Sequence, residues 1–292
     1  MSDFEPREIR LPDGRMLAYL EGGRRRGHPL VHCHGVPSSS VEAHLTLNAS
    51  VADELGLRVI VPDRPGIGRS DFQANRRIVD WPSDVSALAI ALSLDSVAVL
   101  GSSGGSPYAL ACAALAPERV RAVGILGGIA PLEDPLLFAA MSAPLRLMLR
   151  LSRWAPPLSR ALFRLNLRAT RGAGDRTSDR MLASLPEPDR SLMQRPEIRD
   201  AFIACFQEAC RHGTRGPVLD LGLLARPWEF DLATVKAPVL LWHGERDRNV
   251  PVAHGRYLAS VLPSCRATFY TEEAHLSLPL NHGRQILGAL AS

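Results

Sequence analysis

Short apolar runs bounded by glycine, proline and charged residues recur along the chain. REIRL and RMLAYLEGG flank Asp13-Gly14, a turn pair that predicts a hairpin, and PLVHCHG follows them, so the first three runs read as an N-terminal β-meander. VIVPD (59–63), SVAVLG (96–101), VRAVGIL (120–126) and APVLLWHG (237–244) are mostly apolar, the pattern of short buried strands. Between the runs, apolar positions recur with helical spacing over 40–55, 81–93, 105–116 and 252–262. Strand and helix in alternation predict an α/β fold, a mostly parallel doubly wound sheet covered by helices on both faces.

The rhythm stops at 131–229, where helical patterns and proline-rich joints contain no convincing strand. This segment is expected to be an inserted helical cap, with 1–130 and 230–292 forming the core domain. Inside it, LRLMLRLSRWAPPLSRALFRLNLRATR sets Arg146, Arg150, Arg153, Arg160, Arg164, Arg168 and Arg171 at spacings of 3, 4 or 7, a helical stripe opposite leucines that Pro156-Pro157 interrupts. The stripe reads first as solvated surface; an acidic partner, a membrane or an anionic substrate is the lesser reading, and membrane contact is not expected. Apolar stretches from Pro131 to Leu151 and from Phe202 to Trp228 are expected to line a pocket, with Trp154 and Trp228 in the core.

A chain of 292 residues that is 46% hydrophobic can bury a large core. Its net charge is only +4 and Lys236 is the sole lysine, so a nucleic-acid partner is not expected. Five cysteines, Cys33, Cys112, Cys205, Cys210 and Cys265, lack metal-site spacing and read as reduced thiols. The charged start MSDFEPREIR and the lack of any apolar run near the roughly 18 residues of a membrane span predict a cytoplasmic protein.

Candidate chemistry centres on LGSSGGS (100–106), which lies between a strand and a helix. The glycines Gly101, Gly104 and Gly105 match neither a phosphate loop nor a dinucleotide fingerprint. They do match a nucleophile elbow, whose tight turn needs small residues two before and two after the serine. Ser102 would place Leu100 at one such position and Ser106 would place Tyr108 at the other, so only Ser103 satisfies the rule. A serine nucleophile needs a base, and the base needs a carboxylate to fix its tautomer. Asp247, in the loop after APVLLWHG, is the favoured acid over Glu245 and Asp134; His275, between the strand RATFY and the last helix, is favoured over His282. Charge on a tetrahedral intermediate also needs backbone donors, for which Gly104 and Val36, after His34-Gly35, are the candidates.

Five motifs in order, HGVPSSS, DRPGIGRS, GSSGGSPYALA, GERDRNVP and EEAHLSL, resemble the α/β-hydrolase superfamily, in particular its cap-bearing small bacterial serine hydrolases, over about residues 8–130 and 235–290. The resemblance implies Ser103 as nucleophile, Asp247 as acid, His275 as base and the Val36 and Gly104 amides as oxyanion hole. It also implies that Gly66 and Gly68 allow a structural turn, in which Asp63 and Arg64 organise loops. The expected activity is hydrolysis of a small-molecule ester without metal or organic cofactor. C–C bond hydrolysis, lactonase, amidase or perhydrolase chemistry would use the same residues, and a non-catalytic ligand-binding receptor would keep them unused. Haloalkane dehalogenases and epoxide hydrolases use a carboxylate nucleophile where this chain has Ser103. Gly104, in place of a larger residue in many relatives, is expected to leave the pocket floor open, and Ser102 adds polarity beside the nucleophile. The oligomeric state is not set by these features.

Overall fold

Asp13-Gly14 closes β1 (Glu5–Arg10) onto β2 (Met16–Gly23) in antiparallel register from Glu5↔Glu21 to Arg10↔Met16. In this computed structural model, which describes residues 4–172, 182 and 184–291, the sheet continues with β3 (His28–Cys33), β4 (Leu57–Pro62), β5 (Val97–Ser102), β6 (Val120–Leu126), β7 (Val239–Gly244) and β8 (Cys265–Tyr270). The eight strands lie in the order β1-β2-β4-β3-β5-β6-β7-β8, and all pairs from β4 to β8 are parallel.

The meander expectation is corrected at β3, because β2 pairs antiparallel with β4, from Tyr19↔Pro62 to Gly23↔Arg58, while β3 sits between β4 and β5. The reason lies in the side chains. Leu30, Val31, His32 and Cys33 are all buried, so β3 needs cover on both faces, whereas β1 is mostly exposed and charged as an edge strand should be.

Helices fill the connections: α1 (Ala43–Thr46), α2 (Ala49–Glu54), α3 (Trp81–Ala91), α4 (Ser106–Leu115), α5 (Pro135–Ala140), α6 (Ala143–Trp154), α7 (Pro156–Gly172), α8 (Glu187–Met193), α9 (Pro196–Ala209), α10 (Arg215–Leu224), α11 (Val252–Val261) and α12 (Ser277–Leu290). The single helix expected over 40–55 is a 3₁₀ turn followed by α1 and α2. Leu47 is extended at their junction, and the Asn48 side chain caps α2 by accepting from the Val51 N–H at 3.1 Å. Alternate residues of each central strand enter different cores: Val31, Ile60 and Val99 pack with Val85 and Leu110, while Leu30, Val59 and Leu100 pack with Ala52 and Ile286.

Residues between β6 and β7 form no strand among the described residues, and α5 to α10 run through this insertion. Pro156 starts α7 directly after α6, a position where its missing N–H breaks no helical bond. Leu149, Phe163 and Leu221 join the larger core, which ties the insertion to the sheet. Trp228 is 4% exposed and stacks on Phe230, as expected for core. Trp154 corrects the expectation: it is 73% exposed, because it continues the outward α6 stripe of Leu147 and Arg150. The side chain of Arg171 lies outside the described residues.

Candidate active site

Ser103 follows β5 with a φ of 52°, in the left-handed region that a side chain enters only when its surroundings hold it there. The tight turn explains the small neighbours. A Cβ on Gly101 would lie 2.7 Å from Ser106 Cα, and one on Gly105 would lie 2.0 Å from the Cys33 carbonyl oxygen. Ser106 is fully buried, with Oγ 2.8 Å from the Ser103 carbonyl and 3.1 Å from that of Ile129, so its hydroxyl is occupied within the turn. Ser102 lines the adjacent cavity, and its hydroxyl makes no hydrogen bond among the described residues.

Asp247 lies past the end of β7 and is held from two sides. Its Oδ1 accepts from the Asn249 and Val250 amides, both at 2.8 Å, and its Oδ2 lies 2.6 Å from His275 Nδ1. Burial alone would disfavour the imidazolium of His275. The charge and hydrogen bond of Asp247, helped by Asp189 and Glu42, outweigh that effect and hold its pKa above the ordinary histidine value. His275 and Ser103 line the same cavity. The rival residues are engaged elsewhere: Glu245 with Arg256 at 2.8 Å, Asp134 as the cap of α5, and His282 with Glu273 at 2.9 Å and the Tyr270 ring.

The loop after β3 carries Val36 against the turn. Its support is Arg64, which is fully buried and donates through Nη1 to the His34 carbonyl (2.6 Å), through Nη2 to the Gly35 carbonyl (2.8 Å) and through Nε to Asp220 (2.8 Å). His34 Nδ1 lies 2.9 Å from the Gly35 carbonyl and 3.0 Å from Arg64 Nη2, and its Nε2 lies 3.4 Å from the Arg64 amide, so the ring is enclosed by the groups that Arg64 holds. Burial and the nearby Arg64 charge depress the His34 pKa to about 3, so the ring is neutral. Glu42 closes the other side of the loop, accepting from the Gly35 amide at 3.0 Å and lying 3.1 Å from His32 Nε2. Burial opposes its charge, but the hydrogen bond with His32 leads the effects that lower its pKa to about 2.

The open floor expected at Gly104 is not present. A Cβ there would meet Val36 Cβ at 2.8 Å and Leu224 Cδ1 at 3.0 Å, so the missing side chain is what allows the Val36 loop to approach. The Val36 amide has no acceptor among the described residues.

Two carboxylates from the insertion escaped sequence reasoning. Asp189 of α8 is 1% exposed and accepts from three consecutive amides at the start of α12: His275 at 3.2 Å, and Leu276 and Ser277 at 2.9 Å each. Asp220 of α10 sits between Arg64, Arg76 and Tyr108. Burial raises the Asp220 pKa less than the two guanidinium charges lower it, so the carboxyl stays ionised well below the ordinary range. Neither lies in a motif, and only helical spacing surrounds them in sequence.

The cavity, of about 390 Å³, runs between this sheet edge and the insertion. Leu126, Leu145, Met148 and Phe202 supply apolar wall, and the insertion contributes through α6 and α9 rather than through the whole of the two stretches expected from sequence. No arginine or lysine lines it among the described residues, and Glu42 does.

Residues 28–278 match the family described as alpha/beta hydrolase fold. A pimeloyl-[acyl-carrier protein] methyl ester esterase from Chromobacterium violaceum is 28% identical over 83% of this chain and 87% of its own. A 2-hydroxymuconate semialdehyde hydrolase from Pseudomonas putida is 26% identical over 75% of this chain and 70% of its own. Among solved structures, a bromoperoxidase from Bacillus anthracis superposes with a TM-score of 0.70 at 20% identity, covering 98% of both chains, a likeness of fold.

Proposed function

Because the chain belongs to the α/β-hydrolase family, we propose that it is a serine hydrolase cleaving an uncharged small-molecule ester through an acyl-enzyme on Ser103. The observation that carries this reading is the 2.6 Å contact between Asp247 and His275, whose ring lines the same cavity as a serine held at positive φ. His275 Nε2 takes the Ser103 proton as Oγ attacks the ester carbonyl, and Asp247 stabilises the imidazolium that forms. The Val36 and Gly104 amides receive the oxyanion; collapse of the tetrahedral intermediate expels the alcohol, which takes the proton from His275. Water then repeats the sequence on the acyl-enzyme, with His275 accepting its proton, and frees Ser103 and the acid. The helical insertion acts as a cap that limits water and shapes the acyl site.

Wall chemistry favours a neutral acyl chain. An anionic substrate would find no guanidinium or ammonium among the described lining residues and would face the ionised Glu42. The test is turnover of p-nitrophenyl esters of increasing chain length, each beside a partner ending in a carboxylate, with lactone and C–C substrates in parallel and Ser103→Ala as control. Neutral esters should be turned over best and Ser103→Ala should be inactive. Turnover of a C–C substrate with no ester hydrolysis would contradict the reading.

A further inference from the structure

The outward side of α6 and α7 carries a combination that ester hydrolysis does not use. Seven large hydrophobic side chains are exposed among the described residues, and five of them, Leu136, Leu147, Trp154, Leu158 and Leu165, fall in one 30-residue span that covers α6 and the first part of α7. On α6 the exposed stripe is Leu147, Arg150 and Trp154; on α7, Leu158 and Leu165 alternate with exposed Arg164 and Arg168. The Arg150 guanidinium lies 5.0 Å from the Phe138 ring centre and that of Arg153 lies 4.5 Å from Trp154, so the charges sit directly on apolar surface.

The charge is local. Residues 135–174 contain seven arginines and neither aspartate nor glutamate, although the whole chain is only +4. From Arg146 to Arg168, none of the six forms an ion pair among the described residues. Read from sequence alone the stripe is solvated surface; leucines and a tryptophan exposed between the arginines do not fit that reading, since a solvated stripe has no need of them.

We propose that this face docks on the surface of an anionic phospholipid bilayer. Guanidinium groups would meet the lipid phosphates while Trp154 and the leucines enter the boundary between headgroups and acyl chains. A second copy of the chain suits the face poorly, because self-pairing would oppose arginines with arginines and no acid. An acidic protein would account for the charge but leave the exposed leucines unexplained. The inner side of α6 supplies Leu145 and Met148 to the cavity, so docking would set one wall of that cavity beside the bilayer.

The test is sedimentation of the full chain with vesicles of phosphatidylcholine alone and of phosphatidylcholine mixed with phosphatidylglycerol. Binding is expected to the mixed vesicles only, and to weaken as salt rises from about 0.05 to about 0.5 M. Arg164→Glu with Arg168→Glu, and separately Trp154→Ser with Leu158→Ser, should each weaken it by about tenfold or more. Both pairs should leave the circular dichroism spectrum and turnover of a soluble ester unchanged. Absence of binding, equal binding to both vesicle types, or variants that bind like the parent chain would overturn the proposal, as would a stable dimer that these variants disperse.

Discussion

His275 meets two carboxylates, Asp247 at its ring and Asp189 at its backbone amide, and each has a separate consequence. Asp247 holds its Nδ1 at 2.6 Å, so Asp247→Asn should keep the fold yet lower kcat by about a thousandfold or more, because the amide favours the wrong tautomer; near-normal turnover would assign the acid elsewhere. The raised His275 pKa sets the pH profile. Only neutral imidazole accepts the serine proton, so kcat/KM should rise with pH through a midpoint above about 6.5, and residual activity of Asp247→Asn should show a lower midpoint. The stability that protonated His275 contributes is complete below the ordinary histidine value and is lost as pH rises through its raised folded value. Asp189 acts through the loop. Asp189→Asn keeps an oxygen for the amides but removes a charge, so its main effect should be a lowered pH midpoint; Asp189→Ala frees the loop and should cost roughly 10 to 100-fold in kcat. Equal effects of the two variants would contradict this division. The small residues around Ser103 made its turn legible in sequence, since that constraint is local. Asp189 was not legible, because its three partners lie 86 to 88 residues away and no spacing rule connects an insertion helix to the loop it holds.

Between elements, the Arg64–Asp220–Arg76 cluster joins the loop after β4 and α10 to the carbonyls that shape the Val36 loop. Asp220→Ala leaves two guanidinium groups buried without their carboxylate and should lower stability in urea by about 3–5 kcal/mol. The depressed Asp220 pKa means that its contribution is present above the ordinary carboxylate range and fades only in strong acid. Gly104→Ala belongs to the same scale. The added methyl would overlap Val36, so kcat should fall by about tenfold or more with no gain for longer acyl chains; a widened chain-length range would contradict the packing. Pairing at the sheet edge was the element-level miss. Proximity in sequence favoured β2 beside β3, while burial of β3 on both faces required the strand inside the sheet and brought β4 to β2.

At the scale of the molecule, one sheet carries the nucleophile, acid and base candidates at the ends of β5, β7 and after β8, and the insertion supplies the opposite wall. The period of the apolar runs made this architecture legible, because alternating strands and helices admit few arrangements. The outward face of the insertion was only half legible: helical spacing located its arginines, but the direction in which Trp154 points depends on how α6 packs against α7 and α10. Labelling with a fluorophosphonate followed by mass spectrometry asks whether Ser103 is an activated nucleophile. A single adduct is expected on the Ser103 peptide, absent in Ser103→Ala and formed far more slowly in His275→Ala. A chain that takes no label, or takes it on Ser102 or Ser106, would contradict that role.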